Sequence, residues 1–169
     1  MAKHMIWFGV IIATALLQTM WPDFLKIQGA LPDLVLIAVV YFAVAEGDER
    51  AMFTGLVGGV YLDVASAEIL GHHVLGLVIA GFMASRVSTR LITEHPAVKA
   101  GLVLFAAAFH GILFTAILYV QKPDIGFTSH ILTSVIPDAF YTALLAPVLF
   151  FVFALIFQGR EAPATGAMR

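Results

Sequence analysis

The fold of this chain is decided by the stretch Leu34-Val35-Leu36-Ile37-Ala38-Val39-Val40, in which every residue is apolar. A strand of a membrane barrel alternates between an apolar and a polar face, and this stretch has no polar face. The other arrangement that satisfies backbone hydrogen bonds within lipid is the α-helix. The stretch therefore predicts a helix inside a bilayer.

The same apolar character recurs along most of the chain, in six runs separated by short polar breaks. The runs cover residues 5–20, 31–45, 51–65, 74–87, 97–120 and 132–157. Hydrophobic residues make up 61% of the 169 residues and charged residues 12%, whereas a soluble domain is about 45–50% apolar and about 25% charged. We predict an all-α integral membrane protein, with six transmembrane helices in one bundle over residues 1–158 and a disordered cytoplasmic tail at 159–169.

Lysine and arginine are distributed unevenly between the two sides that six helices would create. With both termini in the cytoplasm, the inner segments carry Lys3, Arg50, Arg86, Arg90, Lys99, Arg160 and Arg169, and the outer loops carry Lys26 and Lys122. An excess of lysine and arginine marks the cytoplasmic side of a membrane protein. We therefore predict a multi-pass protein of the cytoplasmic membrane with both termini inside.

Several classes of function are excluded or left without support. The chain has no cysteine, which removes disulfides and thiolate chemistry. Its net charge is −2 with no long basic block, so nothing indicates a nucleic-acid partner. It contains no Gly-x-Ser-x-Gly, His-Glu-x-x-His or phosphate-binding glycine loop, so we predict neither an enzyme nor a cofactor. Glu68, His72 and His73 alone are a weak metal signal, and we predict no metal.

Two local patterns predict how the second helix begins and ends. Proline suits the first turn of a helix, and an adjacent aspartate can cap the free N–H groups, so Pro32-Asp33 predicts the start. The connection at residues 46–50 is very short, which predicts an antiparallel hairpin between the second and third helices.

Small residues form a stripe along the third helix. Ala51, Gly55, Gly59 and Asp63 recur every four residues, and Gly58 widens the stripe. Small residues at this spacing let helix backbones approach closely in lipid. The stripe predicts either tight packing within the chain or docking of a partner helix, and the sequence leaves both open.

Three ionisable residues lie inside the apolar runs, at Asp63, His110 and Asp138. A charge at the bilayer centre costs about 2.5–3.5 kcal/mol on insertion scales, so each needs a partner, a cavity or a neutral form. At about 1.5 Å per residue, all three fall in the outer half of the membrane. We predict a polar cluster near the outer leaflet. The alternative is that a backbone group or loop water satisfies each residue separately.

The order of several short motifs resembles the MreD family of rod shape-determining membrane proteins. The motifs are Leu16-Leu17-Gln18, Trp21-Pro22-Asp23, Pro32-Asp33-Leu34, the glycine-rich stretch at 55–66 that contains Asp63, and Ile69-Leu70-Gly71. The resemblance implies a non-enzymatic scaffold of the bacterial cell-elongation machinery, which makes peptidoglycan. It also implies an inner-membrane location and the partners MreC, RodA, a class B penicillin-binding transpeptidase and MreB.

The scaffold function, taken together with the glycine stripe, gives roles to particular residues. Gly55, Gly58, Gly59 and Asp63 are expected to pack helices, with Trp21 and Tyr61 near the outer rim. The family also resembles the substrate-binding subunits of energy-coupling-factor transporters. The alternative function is therefore a membrane subunit that binds a vitamin, with Asp63, His110, Asp138 and Tyr61 in an outer cavity.

Overall fold

The computed structural model describes residues 2–22, 26, 29–66, 71–90, 95–121 and 126–158. Over these residues the chain forms six helices and no β-strand, which confirms the predicted all-α fold. They are α1 (Ala2–Thr19), α2 (Leu34–Ala45), α3 (Asp48–Ser66), α4 (His72–Ser88), α5 (Pro96–Gln121) and α6. Helix α6 comprises Phe127–His130, a π-helical turn at Ile131–Val135 and Ile136–Gln158 without a break. The predicted tail at 159–169 lies outside the described residues.

Helix α2 is the centre of the bundle. Every residue from Leu34 to Ala43 is buried, and α2 contacts α1, α3, α4, α5 and α6. A helix that is apolar on every face is stable where all its faces are covered, and here the cover is protein. Its 12 residues span about 18 Å, less than the hydrocarbon thickness of about 30 Å.

Both ends of α2 are fixed by local hydrogen bonds. At the start, Asp33 Oδ1 accepts the backbone N–H of Leu36 at 2.9 Å, which confirms the predicted cap. At the end, the backbone N–H groups of Glu46 and Gly47 donate to the carbonyl of Phe42 at 2.8 and 3.1 Å. Gly47 has a φ of +93°, a conformation that glycine adopts at little cost. Helix α3 begins at the next residue, so the predicted hairpin is confirmed.

The glycine stripe of α3 lies against the backbone of α4. A Cβ atom at Gly55 would lie 2.8 Å from the carbonyl group of Leu77, and one at Gly59 would lie 2.6 Å from Val74 Cα. Gly58 faces another way, toward the side chain of Val35 in α2. Of the two uses of the stripe that the sequence leaves open, the structure contains packing within the chain.

Two helices are long and apolar enough to cross a membrane by length and composition, namely α5 and the Phe127–Phe157 part of α6. In α6 the outward face carries large apolar side chains. Phe140, Leu144, Val148, Phe151 and Leu155 are all at least 60% exposed. In α1, the segment His4–Thr19 is apolar but shorter, as is α2.

Candidate functional site

A half-enclosed cavity of about 260 Å³ lies at the end of the bundle where α1 finishes and α2 and α4 begin. Side chains from these helices, from α5 and from the first half of α6 line it. The polar lining side chains are those of Gln18, Asp33, His73, His110, Thr115, His130, Ser134, Asp138 and Thr142. Its ionisable side chains are therefore two aspartates and three histidines, and the described lining includes no lysine or arginine.

Asp33 and His110 form a pair at the cavity wall. His110 Nδ1 lies 3.3 Å from Asp33 Oδ2, and His110 is only 8% exposed. Gly76 makes room for the imidazole, because a Cβ atom there would lie 2.5 Å from Cδ2 of the ring. The second ring nitrogen, Nε2, is buried and has no hydrogen-bond partner among the described residues. With its proton on Nδ1, His110 presents a donor to Asp33 and leaves only a lone pair unpaired.

Asp63 forms a second carboxylate–imidazole pair beside the first. Its carboxylate accepts the backbone N–H groups of Gly71 at 2.7 Å and His73 at 2.9 Å, and His73 Nδ1 lies 2.9 Å away. These N–H groups are at the start of α4, where Gly71 has no side chain to act as a cap. Asp63 of α3 thus caps α4, where the helix dipole favours a negative charge.

The two pairs are neighbours, because the rings of His73 and His110 lie 6.3 Å apart. His73 also packs against Phe114, with ring centroids 5.0 Å apart. The order across the bundle is therefore Asp63, His73, His110 and Asp33.

Asp138 and Thr142 hold the segment before α2 against α6. The backbone N–H of Leu31 donates to Asp138 Oδ1 at 2.8 Å, and that of Asp33 donates to Thr142 Oγ1 at 3.0 Å. The hydroxyl of Thr142 in turn donates to the carbonyl of Asp138 at 2.6 Å. Asp33 and Asp138 are consequently fixed at the same wall of the cavity.

The π-helical turn explains how α6 presents four polar residues to one cavity. Twelve residues of regular helix leave an offset of about 120°, which would turn His130 away from Thr142. A π turn accommodates one extra residue and reduces that offset to about 20°. Within it, the N–H of Ile136 donates to the carbonyl of Ile131, five residues back. His130, Ser134, Asp138 and Thr142 therefore share the face that lines the cavity.

Pro137 accounts for the position of this turn. Proline has no N–H, so it cannot donate to the carbonyl of Thr133, and its ring clashes with that carbonyl in a regular helix. The turn that widens contains Thr133.

The polar and aromatic residues singled out from the sequence lie in different parts of the structure, mainly at the cavity and at a groove between α1 and α3. His110 and Asp138 line the cavity, and Asp63 adjoins it through His73. Tyr61 lies elsewhere, in an apolar groove between α1 and α3. Trp21 is half-buried, and its indole N–H has no partner among the described residues. Glu68, considered for a metal site, lies outside the described residues.

Sequence reasoning missed the partners of these residues. The sequence predicts that Asp33 is a helix cap, and the structure confirms this. Nothing in the sequence indicates its contact with His110. His73 and His130 belong to breaks between apolar runs, where a histidine carries little information. The regular spacing of His130, Ser134 and Asp138 was the available signal, because residues four apart lie on one face of a helix. That Thr142 shares this face with His130 depends on the π turn, which was not predicted from the sequence. Among the described residues, no group of three or more histidine and acidic residues is arranged to hold a metal ion.

Comparison with known proteins identifies the family. The family model for the rod shape-determining protein MreD matches residues 1–160. The chain belongs to the MreD family. The resemblance derived from the sequence motifs is thereby confirmed. The curated proteins and the solved structures that were compared with the chain gave no match.

Membership of the MreD family defines the general role. MreD proteins are membrane proteins that take part in determining rod shape during cell elongation. The family is a structural one and is not a known enzyme family.

Proposed function

We propose that this MreD protein is a scaffold of the elongation machinery that binds the transmembrane helix of MreC. The family match over residues 1–160 carries the proposal. RodA, a class B penicillin-binding transpeptidase and MreB would belong to the same larger complex. Residues 1–158 would form the membrane domain, with the segment 159–169 in the cytoplasm.

All six helices would lie in the membrane with both termini cytoplasmic. The distribution of charge supports this orientation, because Arg50, Arg86, Arg90 and Lys99 all lie at the end of the bundle opposite the cavity. The short α2 is compatible with it, because its neighbours surround it and it need not cross lipid alone.

The surface we assign to MreC is the apolar groove between α1 and α3. Gly55 and Gly59 are covered by α4, which leaves the other face of α3 for a partner. Exposed Phe8, Leu56, Val60 and Val64 line the groove, whose volume is about 460 Å³. A second apolar helix would fit its side chains into such a groove, as helices pack in membranes by shape and dispersion.

Co-purification of tagged MreC with the full-length protein tests this assignment. Val60→Trp fills the groove without adding charge, and we expect it to reduce recovered MreC by about 10-fold, a loss of about 1.4 kcal/mol in binding. Val148→Trp on α6 is the matched control, since Val148 is also exposed, and it should recover MreC normally. Equal recovery by both variants would reject the groove as the MreC surface.

The cavity favours a second candidate function, a small-molecule binding subunit of an energy-coupling-factor-type transporter. Its volume of about 260 Å³ exceeds the roughly 150 Å³ of a cavity that holds benzene. Gentle purification followed by mass spectrometry should then reveal a bound vitamin together with energy-coupling subunits. Recovery of MreC without any coupling subunit would favour the scaffold instead.

A further inference from the structure

The charges around the cavity indicate what kind of molecule it accepts. Two carboxylates, Asp33 and Asp138, line it without a lysine or arginine among the described lining residues. The imidazole of His110 is committed to Asp33, and His130 Nδ1 lies 3.2 Å from Thr115 Oγ1. Two like charges facing one confined space repel each other, and a cation between them relieves that repulsion.

The rest of the lining favours a small organic cation. Ala107, Gly111, Val135 and Ala139 supply an apolar wall, and Phe114 adds an aromatic ring beside His73. Such a wall suits a short hydrocarbon arm, and the aromatic ring can attract an ammonium group. The half-enclosed volume of about 260 Å³ limits the ligand to a small molecule or the head group of a larger one.

We propose that the cavity binds a primary ammonium group on a short alkyl or hydroxyalkyl arm, held between Asp33 and Asp138. Two sources share this chemistry, a soluble amine and the head group of an ethanolamine phospholipid. The proposal deepens the second candidate function by naming a ligand class, but it does not require transport and is independent of MreC binding.

Three observations locate the ammonium group in the cavity. The Asp138 carboxylate accepts the N–H of Leu31, two residues before Asp33, and the N–H of Asp33 bonds to Thr142, so the two aspartates are held together. The π turn aligns His130, Ser134 and Asp138 on the same face. Finally, Ser134 contributes a hydroxyl to the lining, which can accept a hydrogen bond from an ammonium group.

Thermal unfolding of the full-length protein in phosphatidylglycerol nanodiscs tests the charge requirement. Ethanolamine is the probe, and ethylene glycol is a neutral control of nearly the same shape. We expect ethanolamine to raise the Tm in a saturable way at millimolar concentrations, as a ligand of the folded state does, and ethylene glycol to leave it unchanged. Equal effects of the two compounds, or no effect of ethanolamine up to about 100 mM, would overturn the proposal.

Conservative variants then locate the binding groups. In Asp33→Asn and Asp138→Asn the side-chain oxygen that accepts the N–H groups of Leu36 and Leu31 is retained. The new amide group at position 33 can donate to Nδ1 of His110 in its other tautomer, so the fold should survive. We expect the double variant to weaken ethanolamine binding by about 10-fold or more. Asp48→Asn, at the opposite end of the bundle, should bind normally. If the double variant folds and binds ethanolamine as the parent does, the assigned site is wrong. If the double variant does not fold, the comparison of ethanolamine with ethylene glycol on the parent protein still tests the proposal.

Nanodiscs of different lipid composition separate the two sources of the amine. If the source is a lipid, native mass spectrometry should show phosphatidylethanolamine retained in preference to phosphatidylglycerol, and ethanolamine should displace it. If the source is soluble, ethanolamine should bind equally well in both lipids and no phosphatidylethanolamine should be retained. Either outcome supports an ammonium site. MreC recovery is measured separately, so a failure here is distinguishable from a failure of the scaffold proposal.

Discussion

Gly59 determines how closely α3 and α4 approach, because the α4 backbone occupies the space where a side chain would be. A Cβ atom at this position would lie 2.6 Å from Val74 Cα and 2.7 Å from its nitrogen. Backbone atoms cannot move aside as a flexible side chain can. Asp63, one turn later on the same face, caps α4 with its carboxylate. The contact and the cap together fix the position of His73 at the cavity.

Because of this close contact, even the smallest substitution at Gly59 should lower the free energy of unfolding. We expect Gly59→Ala to lower the free energy of unfolding by about 1–3 kcal/mol, because the helices must separate to admit one methyl group. Gly9→Ala is the control, since no atom lies within 4 Å of its added Cβ, and its stability should be unchanged or slightly higher. Unfolding in graded SDS, followed by circular dichroism, measures both. Equal stability of the two variants would show that the helices accommodate the methyl group freely.

At the scale of single elements, the predictable features were those encoded by neighbouring residues. The start of α2 at Asp33 follows from proline and aspartate chemistry, and the hairpin between α2 and α3 follows from the short connection at residues 46–50. The central place of α2 could not be predicted, because an all-apolar helix looks the same whether lipid or protein surrounds it. The Asp33–His110 contact was also missed, since it joins residues far apart in the chain and Asp33 already had a local explanation as a helix cap.

The π turn of α6 leads to a prediction about deletions. Leu132, within the turn, and Phe140, in the regular part, are similarly exposed, at 59% and 61%. Both deletions are made in a Pro137→Ala background, because the proline ring would clash with the Thr133 carbonyl once the helix is regular. Deleting Leu132 then removes the extra residue and should leave both halves of α6 facing as before. Deleting Phe140 rotates the two halves of α6 relative to each other by about 100°. This rotation moves Asp138 away from the segment before α2 to which it is hydrogen-bonded. We expect the Leu132 deletion to keep a Tm within a few degrees of the parent value, and the Phe140 deletion to lower it by about 10 °C or more. The opposite order would mean that the turn does not set the register.

At the scale of the whole molecule, the bundle has two chemically different ends. One end carries the cavity with Asp33 and Asp138. The other carries paired basic residues, with Arg86 3.7 Å from Asp48 and Arg50 2.8 Å from Glu46. Such an asymmetry orients a membrane protein, because lysine and arginine are retained on the cytoplasmic side. The cavity should therefore open toward the outer surface, where an amine or an outer-leaflet head group can reach it.

This orientation can be tested directly, because the chain has no cysteine and an introduced thiol is the only one that reacts. Ser134→Cys places the thiol in the cavity, Arg90→Cys places it just beyond α4, and Phe140→Cys places it on the outward apolar face of α6. With a membrane-impermeant maleimide, we expect Ser134→Cys to be labelled in intact spheroplasts and Arg90→Cys only after permeabilisation. Phe140→Cys should resist labelling in both, because a thiol in lipid has little access to water and remains protonated. Labelling of Arg90→Cys in intact spheroplasts would place the basic end outside and reverse the topology, and with it the direction in which the cavity opens.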